Sequence, residues 1–570
     1  MESIYGILKF IGICLEVLLI FNLLIVVHEL GHFLAAKWRG AVIEGFGVWF
    51  GKPLWKKKIN GVTYSLGSIP FGGFVKLPQL MDTNLEGESE YHGKELPRLS
   101  AIDKIIVAAA GPIFSMLLAF CFAVIVWVVG RPTAEAEYTT TIGNVMPKSA
   151  AATAGLQPGD VITKVDGHEV SKFGGQSDDS VTWRIVRSEG EKIAIEYRRN
   201  GELKTVEVVP DRPKTLWYQR RGLRKIGVLP KSTPMIGDIT PGSAAQKAGL
   251  VTNDLIVGVN GKVIYDEEGI VDAAQASGSD TVTLDIHRPV GDTFQELHLP
   301  YEMHGPHFAS VIPDSPASAV GIQKGDRVDT VNGQRVRSAE AFQDVVQKAN
   351  GQVVTLGVER PLARADLNQP LTYEKKTIAV KPQVPEEGSD KPSIGVILSQ
   401  DLGFAFDMFG PRENRRMNPF EQIRVGVSQI VNTIGAVASK SDIGVQHMGG
   451  PVMMMRVYYM LFESKFGWQL ALWFSVIINV NLALLNLLPI PPLDGSHITL
   501  GIVEMIRRKP VKGRLLEYIV TPFTLLVIGF MLFVTFFDVQ DLFGGKKPSM
   551  RFKQPVEVPA QPGVAAAHAS

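Results

Sequence analysis

Four apolar runs, Phe10–Val27, Ile105–Val129, Trp468–Ile490 and Leu515–Phe537, constrain this chain more than any other feature. Each approaches the roughly 20 residues that an α-helix needs to cross about 30 Å of hydrocarbon, where every backbone amide must be satisfied inside the segment. A chain of 570 residues that is 20% charged, with a mean hydropathy of +0.12, has room for such runs beside polar domains. The first run leads directly into His28-Glu29-Leu30-Gly31-His32 with no small-x-small cleavage site, so it reads as a retained helix rather than a secretory signal. Lys37, Arg39, Lys52, Lys56, Lys57 and Lys58 follow the first run, and Arg507, Arg508, Lys509, Lys512 and Arg514 separate the third from the fourth. Short basic loops stay in the cytoplasm, so the segment of about Arg131–Asn418 and both termini belong on the opposite side. Lys546, Lys547, Arg551 and Lys553 point the other way and are outvoted by the two denser clusters.

Charge and cysteine content close off other classes. Lys+Arg of 58 against Asp+Glu of 57 gives a net charge of +1, which offers nucleic acid no global attraction. Cys14 and Cys121 both sit in apolar runs, which excludes a disulfide framework and a cysteine-based metal site. Any metal must be held by His and carboxylates.

The segment between the second and third runs repeats one pattern three times. Pro147, Gly155-Leu156, Asp160 and Gly167 recur at the same offsets as Pro241, Gly249-Leu250, Asp254 and Gly261, then as Pro313, Gly321-Ile322, Asp326 and Gly333. Each unit reads as a proline turn, a short Ala/Ser-rich helix ended by Gly, and a strand closed by a tight turn. The pattern resembles the circularly permuted bacterial PDZ domain, a fold that receives an extended peptide or its C-terminus at an exposed sheet edge. The spacing of the units is unequal, and Ile226-Gly227-Val228 and Ile394-Gly395-Val396 punctuate the segment only twice, so one unit is expected to be truncated or fused with its neighbour.

His28 and His32 stand at i and i+4, on one helical face and close enough to chelate one ion; Glu29 lies about 100° round the helix, beside the ion. Two imidazoles suit Zn²⁺, and an adjacent carboxylate can take a proton from an attacking water. Ionisable residues at the end of an apolar run are costly and mark a site. A third ligand is still required. Asp494, in Asn486-Leu-Leu-Pro489-Ile-Pro491-Pro492-Leu-Asp494-Gly495, is the strongest candidate, and His497 is its rival. Prolines there break the third apolar helix, which is tolerated where protein or a water-filled cavity satisfies the backbone.

These two motifs, on separate apolar runs with PDZ-like units between them, resemble the site-2 protease family of intramembrane zinc metalloproteases, in its bacterial regulator of sigma-E protease type. The resemblance implies that His28, His32 and Asp494 carry Zn²⁺, that Glu29 activates water, and that Asn486 holds substrate or the developing oxyanion. Asn481, Gly72, Gly73, Pro489 and Pro491 are further substrate-binding candidates, the glycines in a Gly- and aromatic-rich segment, Gly45–Leu77, that the family uses to pair with an unwound substrate strand. Three repeats exceed the one or two PDZ units of related bacterial members, and Ser496 replaces a usual glycine.

The expected architecture is a multi-pass α-helical membrane protein with four transmembrane helices and inserted β-rich PDZ-like domains. Along the chain it runs as a first helix (1–40), a cytoplasmic or membrane-associated β-hairpin segment (41–104), a second helix (105–130), three repeats (135–230, 231–305, 306–400), interfacial helices (418–466), a third helix with the basic loop (467–514), a fourth helix (515–537) and a Pro/Ala tail (548–570). The expected activity is cleavage of single-pass membrane proteins within the bilayer of a bacterial inner membrane. The substrates implied are an anti-sigma factor already cut on its periplasmic side, or remnant signal peptides. The alternative is a membrane-anchored PDZ scaffold that cuts nothing. The partners expected for the protease are single-pass membrane protein substrates, the lipid bilayer and a peptide C-terminus at the PDZ-like units, with no nucleic acid.

Overall fold

The computed structural model describes the chain outside residues 1, 81–95, 97–98, 214, 216–217, 292, 363–371, 387–389, 408–412, 440, 510–512 and 544–570; the tail expected at 548–570 lies outside the described residues. Outside the repeats the chain forms α1 (Glu2–Arg39), α2 (Ala101–Val129), α3 (Pro419–Ala438), α4 (Pro451–Glu463), α5 (Gly467–Asn486), α6 (Asp494–Arg507) and α7 (Gly513–Phe543). Among the described residues, α1, α2, α5 and α7 are long and apolar enough to cross a membrane. Ser100 and Asp103 start α2 with a reciprocal capping box. Leu24, Ala119, Ala123, Val476 and Val480 form the buried seam of α1, α2 and α5, where small side chains let the backbones approach closely.

Between α1 and α2 lies a four-stranded sheet of β1 (Gly45–Phe50), β2 (Trp55–Ile59), β3 (Val62–Leu66) and β4 (Ile69–Lys76), in the order β2-β3-β1-β4. The expected hairpins are only partly present. β2 and β3 form one across Asn60-Gly61, but β3 then inserts beside β1 in parallel, and β1 pairs antiparallel with β4. Val75 and Leu77 pack against Phe33, Ala36, Val107 and Ala110. Trp49 Nε1 donates to Asn22 Oδ1 at 2.8 Å and so ties the sheet along the lower half of α1.

Each repeat builds its own buried core, and each closes when a late strand returns to pair with its first. In module 1, Val228–Pro230 pairs with Ile142–Val145. In module 3, Val396–Ser399 pairs with His307–Val311. In module 2, the strand that returns to Ile236–Ile239 is Phe404–Phe406, which follows the whole of module 3. The boundaries 231–305 and 306–400 are therefore corrected: module 3 is inserted into module 2, and no unit is truncated. Leu402-Gly403-Phe404 is the missing third punctuation mark, with Gly403 at φ +68° beside Gly227 at +79° and Gly395 at +81°.

One polar device recurs in all three modules. The buried carboxylates of Asp160, Asp254 and Asp326 each take two bonds from an arginine, Arg199, Arg288 and Arg360, and the same guanidinium reaches the carbonyl of Gly155, Gly249 or Gly321 at 2.8 Å. The array enters and leaves at one place, because Arg131–Thr133 pairs with Glu413–Arg415.

Candidate metal centre

The two histidines of α1 face α2. His32 Nδ1 lies 2.8 Å from the Val107 carbonyl and His28 Nδ1 lies 3.0 Å from Ser115 Oγ. This approach requires glycine on both helices. A Cβ on Gly31 would stand 2.5 Å from the Ala110 carbonyl oxygen, and one on Gly111 would stand 2.2 Å from His32 Nε2.

The third group arrives from the break between α5 and α6. The helix ends at Asn486, the chain passes Pro489, Pro491 and Pro492, and Asp494 opens α6. Gly495 is what lets α6 begin directly over the end of α5: a Cβ there would lie 2.3 Å from both the Leu487 and Leu488 carbonyl oxygens. Ser496 is buried and donates to the Leu493 carbonyl at 2.7 Å, so the hydroxyl replacing the usual glycine is satisfied.

His28 Nε2 lies 3.1 Å from Asp494 Oδ2, His32 Nε2 lies 3.3 Å from Asp494 Oδ1, and the two Nε2 atoms are 3.3 Å apart. A carbonyl can only accept, so His32 Nδ1 carries the proton bonded to Val107, and in the neutral ring Nε2 is a bare lone pair. That lone pair faces a second imidazole and a carboxylate, with Asp494 Oδ2 lacking a hydrogen-bond partner. Electron-rich atoms converge in this way around a cation. Ligands about 2.0–2.1 Å from a tetrahedral Zn²⁺ stand roughly 3.3 Å from one another, which matches the triangle observed. The donor set therefore fits zinc.

A cavity of about 290 Å³ opens onto the triangle, with Glu29, Asn486, Gly73 and His497 in its wall. Glu29 is absent from the converging group and lines the cavity together with Val75 of β4. Asn486 Nδ2 lies 3.4 Å from His28 Nε2. His497 faces the cavity but stands outside the three converging groups, and its burial holds the imidazole below its ordinary value. Among the described residues β4 is an edge strand, and a Cβ on Gly73 would come within 3.4 Å of Glu29 Cγ.

The remaining candidates are not brought together there. Asn481 stands five residues before Asn486, about 140° round the helix, and lies away from the cavity wall. Gly72 accommodates Phe50, whose ring would meet a Cβ at 2.0 Å, and does not line the cavity. Pro489 is exposed and Pro491 is buried elsewhere; the proline that reaches the cavity is Pro492. Sequence reasoning missed Gly111 and Ser115. Their only trace is a Gly-Pro pair and a lone serine in an otherwise apolar helix.

A sequence profile of peptidase family M50 matches residues 16–530. Protease RseP of Yersinia pestis is 25% identical over 505 residues, covering 87% of this chain and 91% of that protein. The regulator of sigma E protease of Salmonella typhi is also 25% identical, with the same coverage of 87% and 91%. A Chlamydia trachomatis protein named as a candidate zinc metalloprotease is 25% identical and covers 92% of this chain and 98% of its own. Among solved structures, the PDZ domain of an SdrC-like protein from Listeria monocytogenes is 22% identical at a TM-score of 0.14, over 18% of this chain and 95% of that one.

Proposed function

Because the chain belongs to peptidase family M50 and is a zinc metalloprotease, we propose that it cuts single-pass membrane proteins within the bilayer, at the cytoplasmic ends of its own helices. The observation that carries this reading is the convergence of His28, His32 and Asp494 at the ends of apolar helices, in a cavity walled on one side by the edge strand β4. A soluble-peptide enzyme would have no use for ligands held at the end of an apolar helix.

His28, His32 and Asp494 would hold Zn²⁺, which when bound supplies a Lewis acid that brings the pKa of a water to about 7 and polarises a carbonyl. Glu29 takes the proton of the attacking water and returns it to the leaving amide nitrogen. The Asn486 amide donates to the carbonyl oxygen as negative charge develops. The outer edge of β4 pairs with the unwound substrate strand through main-chain bonds, and Gly73 keeps side-chain bulk away from Glu29. Asn481, Gly72, Pro489 and Pro491 have no direct part in this mechanism.

The substrates fitting this reading are an anti-sigma factor already cut outside the bacterial inner membrane, and remnant signal peptides. The modules, on the periplasmic side, would bind the trimmed peptide C-terminus or exclude bulky substrates. The scaffold alternative leaves three converging ligands and an adjacent Glu29 without a purpose. The test is Glu29→Gln in proteoliposomes with a single-pass substrate. Cleavage should fall by about 10²–10⁴-fold with zinc content unchanged, and unchanged cleavage would refute the assignment.

A further inference from the structure

Every residue of Gly51–Asn60 is exposed, in a segment whose strand β2 pairs with β3 on one side and, among the described residues, with no strand on the other. It contains Leu54, 67% exposed, and Trp55, 51% exposed, followed at once by Lys56, Lys57 and Lys58, and it holds no acidic residue. The sheet register fixes the height of these side chains. Trp55 is opposite Leu66, Leu66 is opposite Val48, and Val48 is opposite Gly73, which sits against Glu29 and Ile25 of α1. Trp55 therefore stands level with the end of the first apolar run. Lys58 is three rows lower, beside Thr63, Gly45 and Lys76, or about 10 Å toward the cytoplasm.

We propose that β2 is an anchor for anionic phospholipid, with Leu54 and Trp55 seated at the hydrocarbon boundary and Lys56 and Lys57 in the layer of phosphate headgroups below them. From Leu54 to Lys57 the order along the chain is apolar, aromatic, cationic, which is the order of the interface itself, while Lys52 and Ile59 flank that stretch on either side. A soluble acidic partner would account for the lysines but would leave Leu54 and Trp55 bare. The strand has a consequence for the cavity, because β3 and β1 connect it rigidly to β4. The lipid-facing edge and the edge beside Glu29 are three strand spacings apart, about 14 Å. Lipid held by β2 thus sets the depth at which β4 meets a substrate strand. The inference rests on the membrane reading above and not on which peptide is cut.

The test uses the full chain in nanodiscs of phosphatidylcholine containing a minority of phosphatidylglycerol. The readout is the ratio of the two lipids that stay with the protein after detergent extraction, measured by mass spectrometry. Wild type should retain phosphatidylglycerol above its bulk fraction, less so at high ionic strength. Lys56→Gln/Lys57→Gln should lower the enrichment about threefold or more, while the matching arginine double variant should keep it. Arg507→Gln/Arg508→Gln, which removes charge from another cytoplasmic loop, should change it less. Wild-type enrichment in the glutamine variant, an equal loss in the Arg507/Arg508 control, insensitivity to salt, or equal displacement by soluble glycerol phosphate would each overturn the anchor. Failure of the wild-type chain to enter nanodiscs would instead overturn the membrane reading.

Discussion

The metal centre and the modules are built on opposite plans. Each module is locked by an Asp–Arg clamp between residues 34 to 39 positions apart, so it carries the means of its own closure. The metal centre joins His28 to Asn486 across 458 positions, and nothing local holds the two halves together. Damage to the centre should thus be total and damage to a module contained. That contrast can be tested from its strongest consequence down.

Asp494→Ala should have the largest effect. It removes the proposed charged ligand from the only group of three His, Cys or acidic side chains converging within ligand distance among the described residues, so zinc and cleavage should both be lost. His497→Ala should retain zinc, because that ring lines the cavity without joining the ligands. The reverse result, measured by metal analysis of purified protein, would exchange their roles. Next comes Gly111→Ala. A methyl group 2.2 Å from His32 Nε2 must push the ring or α2 aside, and a displaced ligand costs about 10–100-fold in metal affinity. Unaltered zinc affinity would mean that the helices part freely, contrary to a site fixed by close packing.

The modules should tolerate what the centre does not. Removing the whole array between Arg131–Thr133 and Glu413–Arg415 joins two strands that already pair, so zinc should stay while choice among substrates broadens. A cut ending at residue 400 would leave Phe404–Phe406 behind without its partner strand and is the wrong excision. Zinc loss on the full excision would show that the array holds the centre together.

These two plans also decide what could be read from the sequence. The i, i+4 histidines and the proline break before Asp494 are legible because helical spacing and proline stereochemistry are local rules. Gly111 is not, since its importance lies in an imidazole on another helix. Asp160, Asp254 and Asp326 stand out by their fixed offsets, but Arg199, Arg288 and Arg360 do not. The segment between the short second strand and the helix is longer in module 1, residues 170–180 against 264–266 and 336–338, so the interval is 39 there and 34 in the others. The parallel pairing of β1 and β3 escaped a pattern that reads hairpins from turn residues alone. The closing strand of module 2 was hidden because the whole of module 3 separates it from the rest of its own domain.

That nesting yields the smallest and most discriminating prediction. Asp160→Ala removes a fully enclosed carboxylate from module 1, and because Arg199 keeps some water, the cost should be about 3 kcal/mol, at the low end for breaking a buried pair. Asp326→Ala should cost module 3 a similar amount, but there the damage has somewhere to go. The last strand of module 3 ends at Ser399, and Phe404, the first residue of the strand closing module 2, follows after a short link tied by Gln400 to the His304 carbonyl. When module 3 loosens, that strand loses its fixed lead, and module 2 should weaken by roughly 1 kcal/mol, the worth of a typical net hydrogen bond or two. Hydrogen exchange on the full chain separates these cases. Faster exchange at Ile236–Ile239 in the Asp326 variant, with none there in the Asp160 variant, is expected. Equal behaviour of the two would mean that module 2 closes independently of the domain inserted into it.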